Sequence, residues 1–307
     1  LKHMDYEKYA VDLLLLEDTG DYISELPPEV NVLFQDIHHT YGSFASSIRR
    51  CIAAHDWMCL RLRFLFLLRK FFGACALKRA ATILIGKHHY DCVIGFRPGI
   101  CSDLAAYSVQ ANRKITWWHH GEFNVDRAAY GDMCGKMNAV AVVSQSCKAM
   151  LQEKLPELES KLVCIPNMLD ATAIGQKAEN SPYTDDMLHI VSVGRLAPEK
   201  HFENIISVAK TLRDMSTDFV WHIVGDGSEH ARLESLIAEN DLKDHVILEG
   251  SKTNPYPYMK YADLFVHPSY IESQGLTALE AMALGVPCVV TKSRGPCEFI
   301  EDGVNGL

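Results

Sequence analysis

HIVSVGRLAPEKHFENIISVAKTLRDMSTDFVWHIVG occupies residues 189–225. An apolar run (189–194) passes through a loop with Pro198 into a helical pattern, HFENIISVAKTLRDM (201–215), and a second apolar run, FVWHIVG, follows at 219–225. Strand, helix and strand at this spacing form one βαβ unit, which pairs its two strands in parallel. The alternation continues through SEHARLESLIAEN (228–240), HVILEG (245–250), DLFVHPS (263–269) and PCVVT (287–291). Upstream it appears again, with apolar runs at AVDLLLL (10–16), VNVLF (30–34), DCVIGF (91–96), KITWWHH (114–120), AVAVVS (139–144) and KLVCIPN (161–167). Between the two arrays lies DATAIGQKAENSPYTDD (170–186), polar and without period, which reads as a linker. The expectation is an α/β protein of two doubly wound Rossmann-like domains. The N-terminal domain is expected at 1–170, the linker at 171–186 and the C-terminal domain at 187–307. Ligands of such sheets sit at the carboxyl ends of the strands, so a cleft between two facing domains is the expected site.

A chain of 307 residues, 48% hydrophobic, has enough apolar material for two cores and is neither disordered nor fibrous. Its ten cysteines include no Cys-x-x-Cys and are irregularly spaced, which points to neither a zinc ribbon nor a disulfide framework. A reducing, cytoplasmic compartment follows. The first twenty residues do not read as a secretory signal, and no run of apolar residues is long enough for a membrane span. The sequence opens as if on the tail of a helix and a second-position strand and stops at EDGVNGL, so both ends are expected to be cut.

The net charge of -9 is unevenly distributed. Residues 49–87 hold nine basic side chains against a single acid, Asp56. Within them, LRLRFLFLLRKFFGACALKR interleaves Arg and Lys with Phe and Leu. Such a segment reads either as a helix that lies on an anionic membrane surface or as an ordinary amphipathic helix of the domain. Nucleic acid is not an expected partner, because the charge is confined to one apolar-rich segment.

The polar residues that matter follow strands. Arg195 and Lys200 flank the turn after 189–194, where a guanidinium and an ammonium suit a diphosphate; two solvated loop cations are the alternative. Gly225 and Gly227 complete no dinucleotide fingerprint, since His230 takes the third glycine's place, and they also read as a tight turn. In ESQGLTALEAMALGVPCVVT (272–291), Gly275 stands where a helix begins, and free N–H groups there make an anion site. Glu280 lies about a turn and a half further in, positioned to accept hydrogen bonds from ribose hydroxyls. Glu272 precedes the helix and can face whatever extends beyond the phosphates. A capping carboxylate plus a buried carboxylate paired to a cation is the other reading of the two glutamates. The histidine pairs at 38–39 and 88–89 read as structural or surface groups. Trp117 and Trp118 read as core and lining, and Ser144 and Ser146 lack the context of a serine hydrolase.

GRLAPEK, GDG, NPYPYMKYADLFVHPS, ESQGLTALEAMALGVPCVVT and GPCEFIEDGVNGL together resemble the nucleotide-sugar domain of retaining GT-B glycosyltransferases of family 4. The resemblance is dense from about 189 to 307; over 1–170 it rests on strand order, WWHHGE and VVSQS. It implies the GT-B fold and retaining transfer of a sugar from a nucleoside-diphosphate sugar, UDP-linked, to a glycan or lipid-linked acceptor in cell-surface polysaccharide synthesis. It further implies that Arg195 and Lys200 hold the donor diphosphate with the N–H groups of Gly275 and Leu276, that Glu280 binds ribose, and that Glu272 contacts the transferred sugar. His120 matches the histidine that reaches donor sugar and acceptor from the first domain, in preference to His119. No cofactor or metal is implied beyond the donor itself, and no Asp-x-Asp metal signature occurs. The location implied is cytoplasmic, peripheral on the inner face of the membrane where 49–87 engages it. Two departures stand out. Gln274 occupies a place where an aromatic is frequent, and the glycine-rich loop after the first strand is not in this sequence, which leaves the activity of this chain open. A non-catalytic sugar-nucleotide or glycan-binding partner of the same fold is the alternative. A nicotinamide oxidoreductase would need the Gly-x-Gly-x-x-Gly that is missing.

Overall fold

A computed structural model describes residues 1–17, 22–72, 74–119 and 127–307. Strands β1 (Val11–Leu15) and β2 (Val30–Phe34) pair in parallel as a two-stranded sheet. Three helices follow, α1 (Phe44–Ala53), α2 (Trp57–Phe72) and α3 (Ala74–Ile85). Then come β3 (His89–Gly95), α4 (Ile100–Tyr107), β4 (Gln110–Trp118), α5 (Arg127–Gly135), β5 (Ala139–Val142), α6 (Gln145–Lys154) and β6 (Leu162–Cys164). Strands β3 to β6 form a sheet in sequence order. Helix α7 (Ala171–Lys177) leads to β7 (Leu188–Val193), α8 (Glu203–Asp214), β8 (Phe219–Val224), α9 (His230–Glu239), β9 (Val246–Gly250), α10 (Tyr256–Lys260), β10 (Leu264–His267), α11 (Leu276–Ala283) and β11 (Cys288–Val290).

Each strand overlaps an apolar run read from the sequence, with β3 and β4 beginning two and four residues ahead of theirs, at His89 and Gln110. Contacts divide the chain into two compact units, one of Leu1–Trp118 and Asp126–Val140, the other built mainly from Ala141–Leu307. In the first, Cys51, Cys59, Leu62, Leu65, Ala80, Leu84 and Leu104 form a helical core between α1, α2, α3 and α4. Along α2, Trp57, Phe64, Leu68, Phe71 and Phe72 are exposed on one face, spaced as a helical stripe. No described helix is long and apolar enough to cross a membrane.

In the second unit the five-stranded sheet runs β11-β10-β7-β8-β9, all parallel. Its central strands are buried on both faces, as continuous apolar runs require. One face packs Ile205, Ile206 and Ala209 of α8 and Leu233 and Ile237 of α9 against Trp221 and Ile223; the other packs Ala278 and Ala281 of α11 and Met259 of α10 against Val191 and Phe265. The order reverses between β7 and β10, so a crevice opens at their carboxyl ends.

The stretch expected as linker, 171–186, is not wholly irregular, since 171–177 is α7, capped by the Asp170 carboxylate, which accepts from Ala173 N–H at 2.9 Å. Its sequence carries no visible period because only Ile174 of its seven residues is buried. The helix packs against α10 and α11, so these residues are part of the C-terminal fold.

Candidate functional site

β7 runs out through Gly194 and Arg195 to a 3-10 turn at Pro198–Lys200, and β10 runs out through His267 to Glu272 and α11. These two loops meet at the reversal point. The Lys200 ammonium donates to Glu272 Oε1, and His267 Nε2 lies 3.0 Å from the same oxygen. Ser269 ties the loops further, its hydroxyl donating to the Glu199 carbonyl at 3.2 Å. The Glu272 side chain is only 11% exposed. Burial alone would raise its carboxyl, but the His267 hydrogen bond and the Lys200 charge outweigh burial and hold it at about 2. Glu272 is therefore ionised, and the cation it neutralises is the one expected to hold a phosphate.

Arg195 sits on the same loop with its side chain 71% exposed, its Nη2 2.7 Å from Glu199 Oε1. An exposed pair of this kind is weak and exchanges readily for a better anion. Both predicted diphosphate ligands thus lie on the loop after β7, each resting on a carboxylate.

Helix α11 begins at Gly275, whose φ of 79° is left-handed and which has no side chain to act as a cap. A Cβ here would stand 2.7 Å from Pro296 Cγ, so glycine is required by space as well as by dihedral. The first turn, from Leu276, carries no acid. The N–H groups of Ala278 and Leu279 donate to the Gly275 carbonyl at 3.1 and 3.2 Å, those ahead of them are left without an intrahelical acceptor by the helix geometry, and the helix dipole favours an anion there.

Glu280 has a different environment. Tyr256 donates its hydroxyl to Oε1 at 3.2 Å, and burial raises the carboxyl despite that bond. The carboxylate borders a cavity of about 190 Å³ lined also by Met168, Asp170, Ile174, Lys177 and Tyr256. The opposite wall from Glu280 therefore comes from α7, which the sequence presents only as linker, and from the residues just before it, read as the end of the N-terminal domain.

Other expectations resolve differently. Gly225 serves close approach, since a Cβ on it would fall 1.9 Å from the Gly194 carbonyl oxygen, so GDG is a tight turn that lets the β7 and β8 loops touch. Gln274 is buried, and its Oε1 accepts from the Asn167 backbone N–H at 3.0 Å and from Asn167 Nδ2 at 2.7 Å. Ser144 caps α6, and the Glu298 carboxylate accepts from the Gln145 and Ser146 N–H groups at 2.9 and 2.6 Å, which satisfies that helix start. Trp118 is buried core beside Tyr130. His120 lies outside the described residues. Sequence reasoning passed over His267, although a histidine closing a strand at the reversal point was visible in DLFVHPS. Asn167 and Tyr256 left no comparable signal, because their partners lie 107 and 24 residues away.

Residues 176–307 match the family model of glycosyl transferases group 1. Poly(ribitol-phosphate) alpha-N-acetylglucosaminyltransferase of Staphylococcus aureus is 33% identical over 132 residues, 42% of this chain and 27% of that protein. The chain spans only 27–57% of the length of the first curated relatives it matches. Among solved structures, a mutant of S. aureus TarM in complex with fondaparinux, alpha-GlcNAc-glycerol and UDP is 25% identical, with a TM-score of 0.53, and is matched over 63% of this chain and 40% of that one. A glycosyltransferase from Rickettsia africae ESF-5, 18% identical, superposes with a TM-score of 0.64 over 96% of this chain and 74% of its own. The fold is GT-B, as the resemblance implies.

Proposed function

Because residues 176–307 match the glycosyl transferases group 1 model, we propose that the protein transfers a sugar, with retention, from a UDP-linked donor to a glycan or lipid-linked acceptor in cell-surface polysaccharide synthesis. The observation that carries this reading is the meeting of Lys200, Glu272 and His267 at the reversal point, beside the uncapped start of α11. The donor's diphosphate takes Lys200 from Glu272 and Arg195 from Glu199, and the N–H groups at Gly275 and Leu276 complete its coordination. Glu280 accepts from the ribose hydroxyls at the edge of its cavity. Glu272, released from Lys200, turns its carboxylate to hydroxyls of the transferred sugar. UDP is the nucleotide suggested by the TarM complex.

In the reaction, the anomeric carbon–oxygen bond to the diphosphate breaks while the acceptor oxygen bonds to the same face. The acceptor's proton passes to the leaving phosphate oxygen. Negative charge developing on the diphosphate is met by Arg195, Lys200 and the α11 dipole, so no metal or other cofactor is called for. His120, as the resemblance implies, is the histidine that acts on donor sugar and acceptor. The basic, aromatic-rich segment 49–87 holds the protein to an anionic membrane on the cytoplasmic side.

Calorimetry of the chain with UDP, GDP, ADP and their sugar conjugates tests the donor site. Saturable binding of UDP, lost in Arg195→Ala and in Glu280→Ala, is expected. Equal binding by the variants would place the nucleotide elsewhere. Donor turnover by the protein that is abolished by Glu272→Ala separates an enzyme from a binding partner.

A further inference from the structure

A second cluster of chemistry-bearing side chains lies in the first unit. His39, on the 3-10 turn His38–Thr40, Asp56, just before α2, and Cys59, in the first turn of α2, bring one ligand atom each within 4.8 Å of one another. His39 Nδ1 stands 3.0 Å from Asp56 Oδ2. Asp56 Oδ1 accepts from the Cys59 N–H at 2.9 Å, so the carboxylate caps the helix with one oxygen and offers the other to the cluster. Cys59 is fully buried, its Sγ 3.2 Å from the Asp36 carbonyl oxygen. The His39 backbone is itself fixed, since Cys51 Sγ on α1 donates to its carbonyl at 3.5 Å.

We propose that His39, Asp56 and Cys59 form a binding site for a zinc ion, held by an imidazole nitrogen, a carboxylate oxygen and a thiolate, with water as the fourth ligand. A donor set of one sulfur, one nitrogen and one oxygen suits zinc, which accepts all three and favours a tetrahedron. Ligands at zinc distances lie roughly 3.3–3.6 Å apart in such a tetrahedron. The His39–Asp56 separation of 3.0 Å must open by a few tenths of an ångström as the ion replaces their hydrogen bond, and Cys59 Sγ needs a shift of about an ångström. Charge also balances, because a carboxylate and a thiolate together neutralise the dication.

The ion takes the place of the Cys59 thiol proton, which passes to solvent on binding. Asp56 and His39 keep side-chain exposures of 25% and 31%, which gives the ion a path in and the fourth ligand a place. The Cys59 N–H on Asp56 and the Cys51 thiol on the His39 carbonyl act as the outer partners that orient ligands. The ion ties the His38–Thr40 turn to the start of α2 and has no part in the transfer chemistry assigned to the other unit.

Cobalt(II) replaces zinc with a visible spectrum. The metal-stripped chain, with the exposed Cys75, Cys92 and Cys297 changed to Ser to silence adventitious thiols, is titrated with Co²⁺ and then with Zn²⁺. One equivalent should give a thiolate-to-cobalt charge-transfer band with tetrahedral ligand-field absorption, both bleached by zinc. Cys59→Ser should lose the charge-transfer band, and His39→Gln should weaken binding by at least the roughly 10–100-fold that outer partners alone contribute. Circular dichroism establishes that each variant is folded. If Cys59→Ser fails to fold, His39→Gln decides alone, since its ring lies partly in solvent. No stoichiometric band, or a band unchanged in the folded variants, overturns the site.

Discussion

Glu272 and Glu280 stand eight positions apart, and their surroundings move them in opposite directions. For Glu272 the folded carboxyl is held at about 2 against an ordinary 4.5. Its ionised contacts therefore contribute stability above pH 4.5 that is lost as pH falls toward 2, a contribution of up to about 3 kcal/mol. Glu272→Gln should lower urea-unfolding stability at pH 7 by an amount of that order, and the gap should close progressively as pH falls from 4.5 to about 2. A gap independent of pH would mean that the Lys200 and His267 contacts do not set its ionisation. Glu280 has the reverse sign, because burial raises its carboxyl. Its ionisation at neutral pH costs stability, a cost that is absent once the group is protonated. Glu280→Gln keeps an acceptor for Tyr256, so the nucleotide-free protein should melt higher at pH 7 while UDP binding weakens at least tenfold, a loss of about 1.4 kcal/mol. Thermal unfolding with and without UDP measures both. The sequence named both glutamates but not this division of labour. Spacing puts them on one helix start, whereas the partners that tune them, Lys200, His267 and Tyr256, are assembled by the adjacency of β7 and β10 and by the packing of α10 on α11.

At the scale of elements, the same contrast separates what could be read from what could not. Buried parallel strands are nearly continuous apolar runs, so the described strands were visible, including the three-residue β6 and β11. Helix α7 was hidden, since a seven-residue helix with one buried side chain leaves no periodic trace, yet it walls the Glu280 cavity. Helix starts carry the functional load here, and two of them can be tested. Gly275→Ala forces a side chain into left-handed backbone against Pro296, so it should destabilise the protein by about 1–3 kcal/mol. Weaker UDP binding should accompany the lower melting temperature, because the N–H groups of α11 move with the cap. Glu298 is a long-range cap on α6, seated on the Gln145 and Ser146 N–H groups. Glu298→Ala should cost roughly 0.5–2 kcal/mol in chemical unfolding, as loss of a capping carboxylate does, and leave UDP affinity unchanged. If affinity fell as well, Glu298 would belong to the donor site and not only to the helix.

For the whole molecule, the decisive property is how charge is distributed. A chain of net -9 collects nine cations and one acid in residues 49–87, so this segment is the part of the sequence most favoured beside an anionic surface. The same segment exposes Trp57, Phe64, Leu68, Phe71 and Phe72 along α2, with Phe71 78% exposed, and Arg61 stands exposed among them. Leu62 and Leu65 are turned inward, as the ordinary reading of the segment requires, and the outward rings are those the proposed membrane contact would use. Each cation near an anionic leaflet contributes about 1 kcal/mol and is screened by salt, while inserted aromatics hold on at high salt. Flotation with vesicles rich in anionic lipid should therefore bring the protein up at low salt and release part of it at high salt. Phe71→Ser with Phe72→Ser should abolish the salt-resistant part, and Arg61→Glu should weaken the salt-sensitive part by about 2 kcal/mol. Neutral vesicles should bring up only the salt-resistant part. A folded protein that stays down with anionic vesicles at low salt would reassign the α2 stripe to a protein partner and place the lipid-linked acceptor reading on the donor-side residues alone.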